Sequence, residues 1–385
     1  MDFRLFKPVQ MSDDLWQAFE ALRNTRPLYD DPFFDPLYAS LIGQLRKDTR
    51  IGVAFEDGAP VAFWPLHRRP GAWARPIGGP FSDWHGPVLS AHTELKPWQF
   101  LRGLGLLGMS AYGWLPQDRS SETRLSLAGA NMTDVGGNWD EFLDIQTQRW
   151  PKHFKKMRRL ARNIERDFSE VEFRFDDVSD ATFDRLIELK RAQFHRTGRH
   201  DVLAPEWTKN LLQILREAEG PRFRLRLVSL HFDGRHAASE LLLQSDKVMH
   251  GWITAFEHDY GQYSPGNLLV QLMLEEMAAK PSAPKIYDAG PGLDHYKRHY
   301  SNYQLPVGCG VVRAKDLAFR PDRLLGQAWR SGESYLNGQL SHVMTQSRRR
   351  LDQICLSELD NRGRVRGLRK ALGRTRAAVE LADSA

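Results

Sequence analysis

Apolar positions change their spacing often along this chain, and each change marks an element. Asp13–Arg23 places Leu15, Trp16, Phe19 and Leu22 at one- to four-residue steps along one side, which predicts a helix. Leu37–Leu45 predicts another, opened by Asp35-Pro36, a capping residue followed by a proline suited to the first turn. Shorter apolar runs at Phe3–Phe6, Ile51–Glu56, Pro60–Arg68 and Met109–Trp114 read as strands. Asp57-Gly58 joins two of them as a hairpin, because this pair tolerates the positive φ of a tight turn. The Gly- and Pro-rich stretch around Gly71–Gly86 predicts loops, and Pro97–Leu107 a helix.

A second portion repeats the plan. A long basic helix over Arg149–Arg166 leads to a strand at Val171–Phe175 and helices near Asp180–Gln193 and Pro205–Glu219. Phe223–Phe232, Ala237–Gln244 and Val248–Ala255 predict a three-strand meander, with Asp233-Gly234 at its first turn. A helix opening at Ser264-Pro265-Gly266, a strand at Lys285–Ala289 and a short helix around Leu293–Tyr300 follow. The expectation is an α/β (α+β) protein of two related halves, with mixed, largely antiparallel sheets flanked by helices. The halves would span 1–145 and 146–312, with a basic helical tail over 313–385.

Composition narrows the class. At 385 residues, 41% hydrophobic and 26% charged, the chain reads as globular and too long for a single ordinary core. No apolar run approaches a membrane span, and the first residues lack the pattern of a cleaved leader. Cys309 and Cys355 are the only cysteines and form no CxxC or Cys/His cluster, so no disulfide framework or metal is expected and a cytoplasmic setting fits. The net charge of +6 lies in the tail, where 15 basic residues face 8 acidic ones from Arg313 onward. Such a tail suits an anionic partner, including peripheral contact with the inner membrane, or is simply a solvated helix.

Four segments carry a resemblance. They are Pro76–Pro87 (with Ser82-Asp83-Trp84-His85-Gly86 inside it), the basic helix Lys152–Arg162, Asp259–Leu269, and Asp288-Ala289-Gly290-Pro291-Gly292-Leu293-Asp294-His295-Tyr296-Lys297-Arg298. In this order and spacing the chain resembles the CelD-type acetyltransferases, GNAT-like proteins found with polysaccharide-biosynthesis genes and related to the Fem aminoacyltransferases. The resemblance implies tandem GNAT-like halves and transfer from acetyl-CoA or another acyl-CoA to an amino sugar or a nucleotide- or lipid-linked sugar precursor. Three other readings stay open: aminoacyl-tRNA as donor, a hydroxyl acceptor with His85 as the stronger base, or a degenerate enzyme serving as a cyclic di-GMP-responsive regulator. No nucleic-acid partner is expected, since the basic helix carries few interleaved aromatics.

Candidate roles follow. Tyr263, Ser264, Gly266 and Asn267 form the turn where a GNAT fold holds the CoA pyrophosphate; Ser264 suits a helix N-cap and Gly266 lets a ligand approach the backbone. The usual Gln/Arg-x-x-Gly-x-Gly/Ala signature is absent. Tyr296 is a candidate acid for the leaving thiolate, since its pKa lies near that of a thiol. Glu240 sits in the apolar strand Ala237–Gln244, where burial would raise its pKa toward that of a base. His85 is a second candidate base, with Asp83 and Trp84 reading and stacking on the acceptor. Lys155, Arg159 and Arg162 share a helix face suited to phosphates. Lys297 pairs either with Asp288 or with a substrate phosphate. In the tail, Arg349-x-x-Asp352 has the form that recurs where cyclic di-GMP is bound.

Overall fold

Asp57 and Asp233 both adopt left-handed φ, at 51° and 47°, and each is followed by a left-handed glycine. Both Asp-Gly pairs therefore make the tight hairpin turns that their sequence predicts. The computed structural model describes residues 1–115, 125–220, 222–291, 297–314 and 350–369.

The first half runs β1 (Asp2–Phe6), α1 (Asp13–Arg23), α2 (Pro36–Leu45), β2 (Thr49–Glu56), β3 (Ala59–Arg69), β4 (Trp73–Pro76), β5 (Val88–Leu89), α3 (Pro97–Gly103), β6 (Gly108–Trp114) and β7 (Leu125–Asp134). The side chain of Asp35 accepts the Leu37 N–H at 2.8 Å and so caps α2 as its sequence predicts. Helices α4 (Trp139–Arg149) and α5 (Pro151–Asp167) cross to the second half. It continues with β8 (Val171–Arg174), α6 (Asp180–Arg196), α7 (Glu206–Glu217), β9 (Glu219–Gly220), β10 (Phe223–Phe232), β11 (Arg235–Gln244), β12 (Val248–Phe256), α8 (Pro265–Ala279), β13 (Ile286–Pro291), α9 (Lys297–Tyr300) and β14 (Tyr303–Arg313). Strands β4 and β7 and helix α4 lie where the apolar pattern alone marked no element.

All described strands belong to one sheet in the order β1-β2-β3-β4-β6-β14-β7-β13-β12-β11-β10-β8, with β5 beside β3 and β9 beside β10. Among the described strands each half contains one parallel pair, β4 with β6 and β12 with β13, inside an otherwise antiparallel ladder. The final strands trade places. β14 of the second half lies between β6 and β7, and β7 of the first half lies between β14 and β13. The two halves are thus interlocked by backbone hydrogen bonds rather than laid side by side.

Both faces of the sheet are covered. One core is shared by the halves and joins Phe19, Tyr38 and Ile42 of α1 and α2 to Leu211 and Leu215 of α7. On the opposite face α5 and α8 bury Phe154, Ile164, Leu269 and Met273 over the second half, while α3 buries Phe100 and Leu101 over the first.

Candidate active site

The second half opens where its parallel pair ends. β12 and β13 are in register only over Val248–His250 and Ile286–Asp288. Beyond His250, β12 continues to Phe256 against β11 alone among the described pairings. A bulge falls in the same place: Leu241 faces Ile253 but Leu242 faces Gly251, so Trp252 is an extra residue. A bulge leaves such a residue outside the ladder and re-aims the strand's side chains. Trp252 therefore falls where β12 and β13 have parted.

Glu240 lies opposite Thr254, one step before this bulge, and is buried. The Tyr287 hydroxyl donates to Glu240 Oε1 at 3.2 Å. Burial pushes the Glu240 carboxyl up to about 7, and it does so against that hydrogen bond and the charges of Lys297 and Lys190. Gly251 makes the pair possible. A Cβ at that position would stand 2.5 Å from Glu240 Oε1 and 2.7 Å from the Tyr287 hydroxyl. The structure thus brings together a carboxyl tuned to neutrality and a phenol at the strand opening, as expected for Glu240 and with Tyr287 added.

A second cluster is centred on His250, which is fully buried. His250 Nε2 lies 3.0 Å from Asp83 Oδ2, and its Nδ1 lies 3.1 Å from Asp288 Oδ2 and 3.4 Å from Asp31 Oδ2. Burial disfavours charge on this ring, but the carboxylates of Asp288 and Asp31 outweigh it and hold the pKa well above 6.5. Burial raises the pKa of Asp31, whereas at Asp83 the pull of His250 overcomes it and lowers the carboxyl. Asp31 and Asp83 come from the first half, His250 and Asp288 from the second. No reading of the sequence singled out His250 or Asp31. An imidazole inside the apolar strand Val248–Phe256 is the same kind of anomaly that flagged Glu240.

The Ser82–Gly86 segment differs from expectation. Trp84 is buried to 1% exposure, and its indole N–H donates to Asp288 Oδ2 at 2.5 Å. Its ring is part of the protein's interior and offers no face for a sugar. His85 is also buried, which depresses its pKa to about 3. The expected role as a base is corrected accordingly: an imidazole held that far below neutrality is a weak proton acceptor. Its backbone explains the placement. The His85 N–H bonds Gly113 O and the His85 carbonyl accepts the Leu115 N–H, both at 3.0 Å. The segment pairs like a short parallel strand beside β6. Asp83 keeps a partly exposed carboxylate.

At the start of α8, Ser264 takes a left-handed conformation and its side chain makes no cap hydrogen bond, contrary to the expected N-cap. Its carbonyl instead accepts the N–H groups of Asn267 and Leu268. A Cβ on Gly266 would meet only Phe256 Cδ1, at 3.9 Å, so that turn has room beside it. The Asn267 side-chain oxygen is buried without a hydrogen-bond partner. Tyr263 donates to Asp167 Oδ2 at 2.9 Å and packs on Phe168, anchoring this turn to α5. Tyr296 lies outside the described residues. Lys297 opens α9, and its charge adds to the pull of His250 on Asp83 and opposes the rise at Glu240. Asp288 is engaged by His250, by Trp84 and by the Gly290 N–H at 2.7 Å.

Helix α5 buries Phe154, Met157, Leu160 and Ile164 and exposes Lys155, Arg159 and Arg162 to solvent. Arg349 lies outside the described residues. Asp352 accepts from Arg75 at 2.7 Å, and nearby tail carbonyls accept from Arg46 and Trp207, so this part of the tail docks on both halves. No helix among the described residues is long and apolar enough to cross a membrane.

Residues 151–298 match the family described as an acetyltransferase (GNAT) domain. The chain is an acyltransferase. That segment contains Glu240, Tyr287, His250 and the α8 turn. No curated protein matches the sequence. Solved structures similar to it include the C-terminal domain of a putative lysylphosphatidylglycerol synthetase from Agrobacterium fabrum, at 13% identity over 81% of this chain and 94% of that one, TM-score 0.47. A tandem GNAT protein from the clavulanic acid biosynthesis pathway follows at 11%, 82%, 99% and 0.46, and FemX at 10%, 85%, 99% and 0.49. Likeness at this level carries no conclusion about substrate.

Proposed function

We propose that this acyltransferase moves an acetyl or other acyl group from coenzyme A to the amine of an anionic sugar precursor, nucleotide- or lipid-linked, in exopolysaccharide synthesis. One observation carries the reading: Glu240, inside the acetyltransferase segment, is a buried carboxyl near neutrality at the opening of a parallel strand pair. The acceptor arrives as an ammonium and loses a proton to Glu240, directly or through water. The free amine attacks the thioester carbon, a C–N bond forms, and negative charge develops on the carbonyl oxygen. The C–S bond then breaks, the thiolate takes up a proton, from Tyr296 in the simplest scheme, and the nitrogen's second proton restores that phenol. The balance is one amide, one free thiol and one proton released. The exposed cations Lys155, Arg159 and Arg162 give the acceptor's phosphates a partner, and the same chemistry accounts for contact with a lipid-linked substrate at the inner membrane.

Calorimetric titration with acetyl-CoA tests the reading. Saturable binding at one equivalent per chain is expected, and Gly266→Trp should abolish it without unfolding, because the new ring enters open space beside α8. Absence of binding to any acyl-CoA by the wild type overturns it.

A further inference from the structure

The cluster around His250 contains donor atoms that the acyl transfer does not use. Asp31 Oδ2, His250 Nδ1 and Asp288 Oδ2 lie within 4.8 Å of one another on three buried residues. Asp31 Oδ2 and His250 Nδ1 are buried and make no hydrogen bond of good geometry although they face each other at 3.4 Å, while Asp288 Oδ2 also accepts the Trp84 indole N–H. Leaving buried polar atoms unsatisfied costs about 1–3 kcal/mol each, so a chain that aims two of them at one point needs a reason.

The other atoms of the same groups are tied down. Asp31 Oδ1 accepts the Phe33 N–H at 2.9 Å, and Asp288 Oδ1 accepts the Gly290 N–H at 2.7 Å. His250 Nε2 faces Asp83 Oδ2 at 3.0 Å. This is the arrangement that orients metal ligands: the far nitrogen of a histidine held by a carboxylate, and each ligating carboxylate fixed through its second oxygen. Donors on a tetrahedral ion with bonds of about 2.0–2.2 Å stand roughly 3.3–3.6 Å apart, slightly more than the shorter separation here. The separations from His250 Nδ1 are 3.1 and 3.4 Å.

We infer that Asp31, His250 and Asp288 bind one divalent transition-metal ion, zinc by preference, as a staple between the two halves. One imidazole and two carboxylates suit a borderline ion of this class. Two negative charges match its charge and leave the ring neutral. Asp31 belongs to the first half and the other two ligands to the second, so the ion ties the halves at the point where β12 and β13 separate. The complete burial of His250 and Asp288 makes the role structural. The inference does not depend on the acyl donor or acceptor.

The test uses full-length, untagged protein stripped with dipicolinate, reloaded with Zn2+ or Mn2+, desalted and analysed for metal and melting temperature. About one zinc per chain and a melting temperature several degrees above the stripped protein are expected, since a ligand of the native state stabilises it by mass action. Asp31→Asn and His250→Ala should retain less than about a tenth of the metal, while a Cys309→Ser/Cys355→Ser protein retains it all. Wild-type protein that holds no zinc after loading and melts the same with or without it overturns the inference, and the cluster then holds a proton instead. Zinc lost only with the cysteines also overturns it. The wild-type measurement decides even where a variant fails to fold.

Discussion

The two halves build the same parallel pair and use it differently. In the first, β4 and β6 pair over Trp73–Ala74 and Gly108–Met109, and the space beyond is filled by the chain's own Asp83–His85 segment, bonded along β6 at Gly113 and Leu115. Gly113 shows how tight that plug is. Its φ is 80°, and a Cβ there would fall 1.7 Å from the Asp83 carbonyl oxygen. In the second half, β12 and β13 part after His250 and Asp288, and the turn at Gly266 leaves room beside α8. A strand opening becomes a site only where its own chain does not fill it. The plug is put to work nonetheless, since it delivers Asp83 and Trp84 to His250 and Asp288 of the other half.

The strongest way to sharpen this contrast is Glu240→Gln. A loss of about 10²–10⁴-fold in kcat is expected for removing a general base, together with loss of the rate increase through about pH 7 that Glu240 ionisation gives the wild type. Stability gives a second readout. A carboxyl raised from 4.5 to about 7 in the fold stabilises the native state below pH 4.5, and that contribution is lost as pH rises through 7. The variant should therefore gain on the wild type between pH 5 and 8, by on the order of 3 kcal/mol. Equal kcat in the two proteins would move the proton transfer elsewhere.

Trp84→Ala tests the plug. Emptying a buried tryptophan site costs about 3–5 kcal/mol, and denaturant unfolding should show it, because the change also strips Asp288 of a donor. An intact fold with only a raised KM for the acceptor would mean that the ring stacks on substrate after all. The smallest effect on the fold is expected on α5. Lys155→Ala, Arg159→Ala and Arg162→Ala together should change stability by about 0.5 kcal/mol or less per site, because these side chains are exposed. KM for a phosphorylated acceptor should rise about tenfold or more, and by less at high salt. An unchanged KM would remove the acceptor from that face.

Much of the secondary structure was legible locally. Helix α1 and strand β10 fall where their spacing puts them, and both Asp-Gly hairpins form, because turn chemistry and periodicity act within a few residues. The acetyltransferase segment and the anomaly of Glu240 in an apolar strand were legible too. Strand β4 was not, since Trp73–Pro76 is short and visible only through its pairing with β3 and β6. Ser264 was misread because Ser-Pro-Gly signals a cap by composition, while the left-handed conformation that Ser264 itself takes after the turn over His258–Tyr263 directs its side chain elsewhere.

The sequence by itself determined most of the elements, the hairpins and the reaction class, all set by periodicity, turn residues and a motif order that survive without the rest of the chain. Only the tertiary structure decided that the last strands exchange between halves, that Trp84 and His85 are interior groups, and that Asp31, Asp83, His250 and Asp288 meet. The reason is distance. Asp31 and Asp288 stand 257 positions apart, and no local preference of either residue records the sheet register that brings His250 beside Asp288.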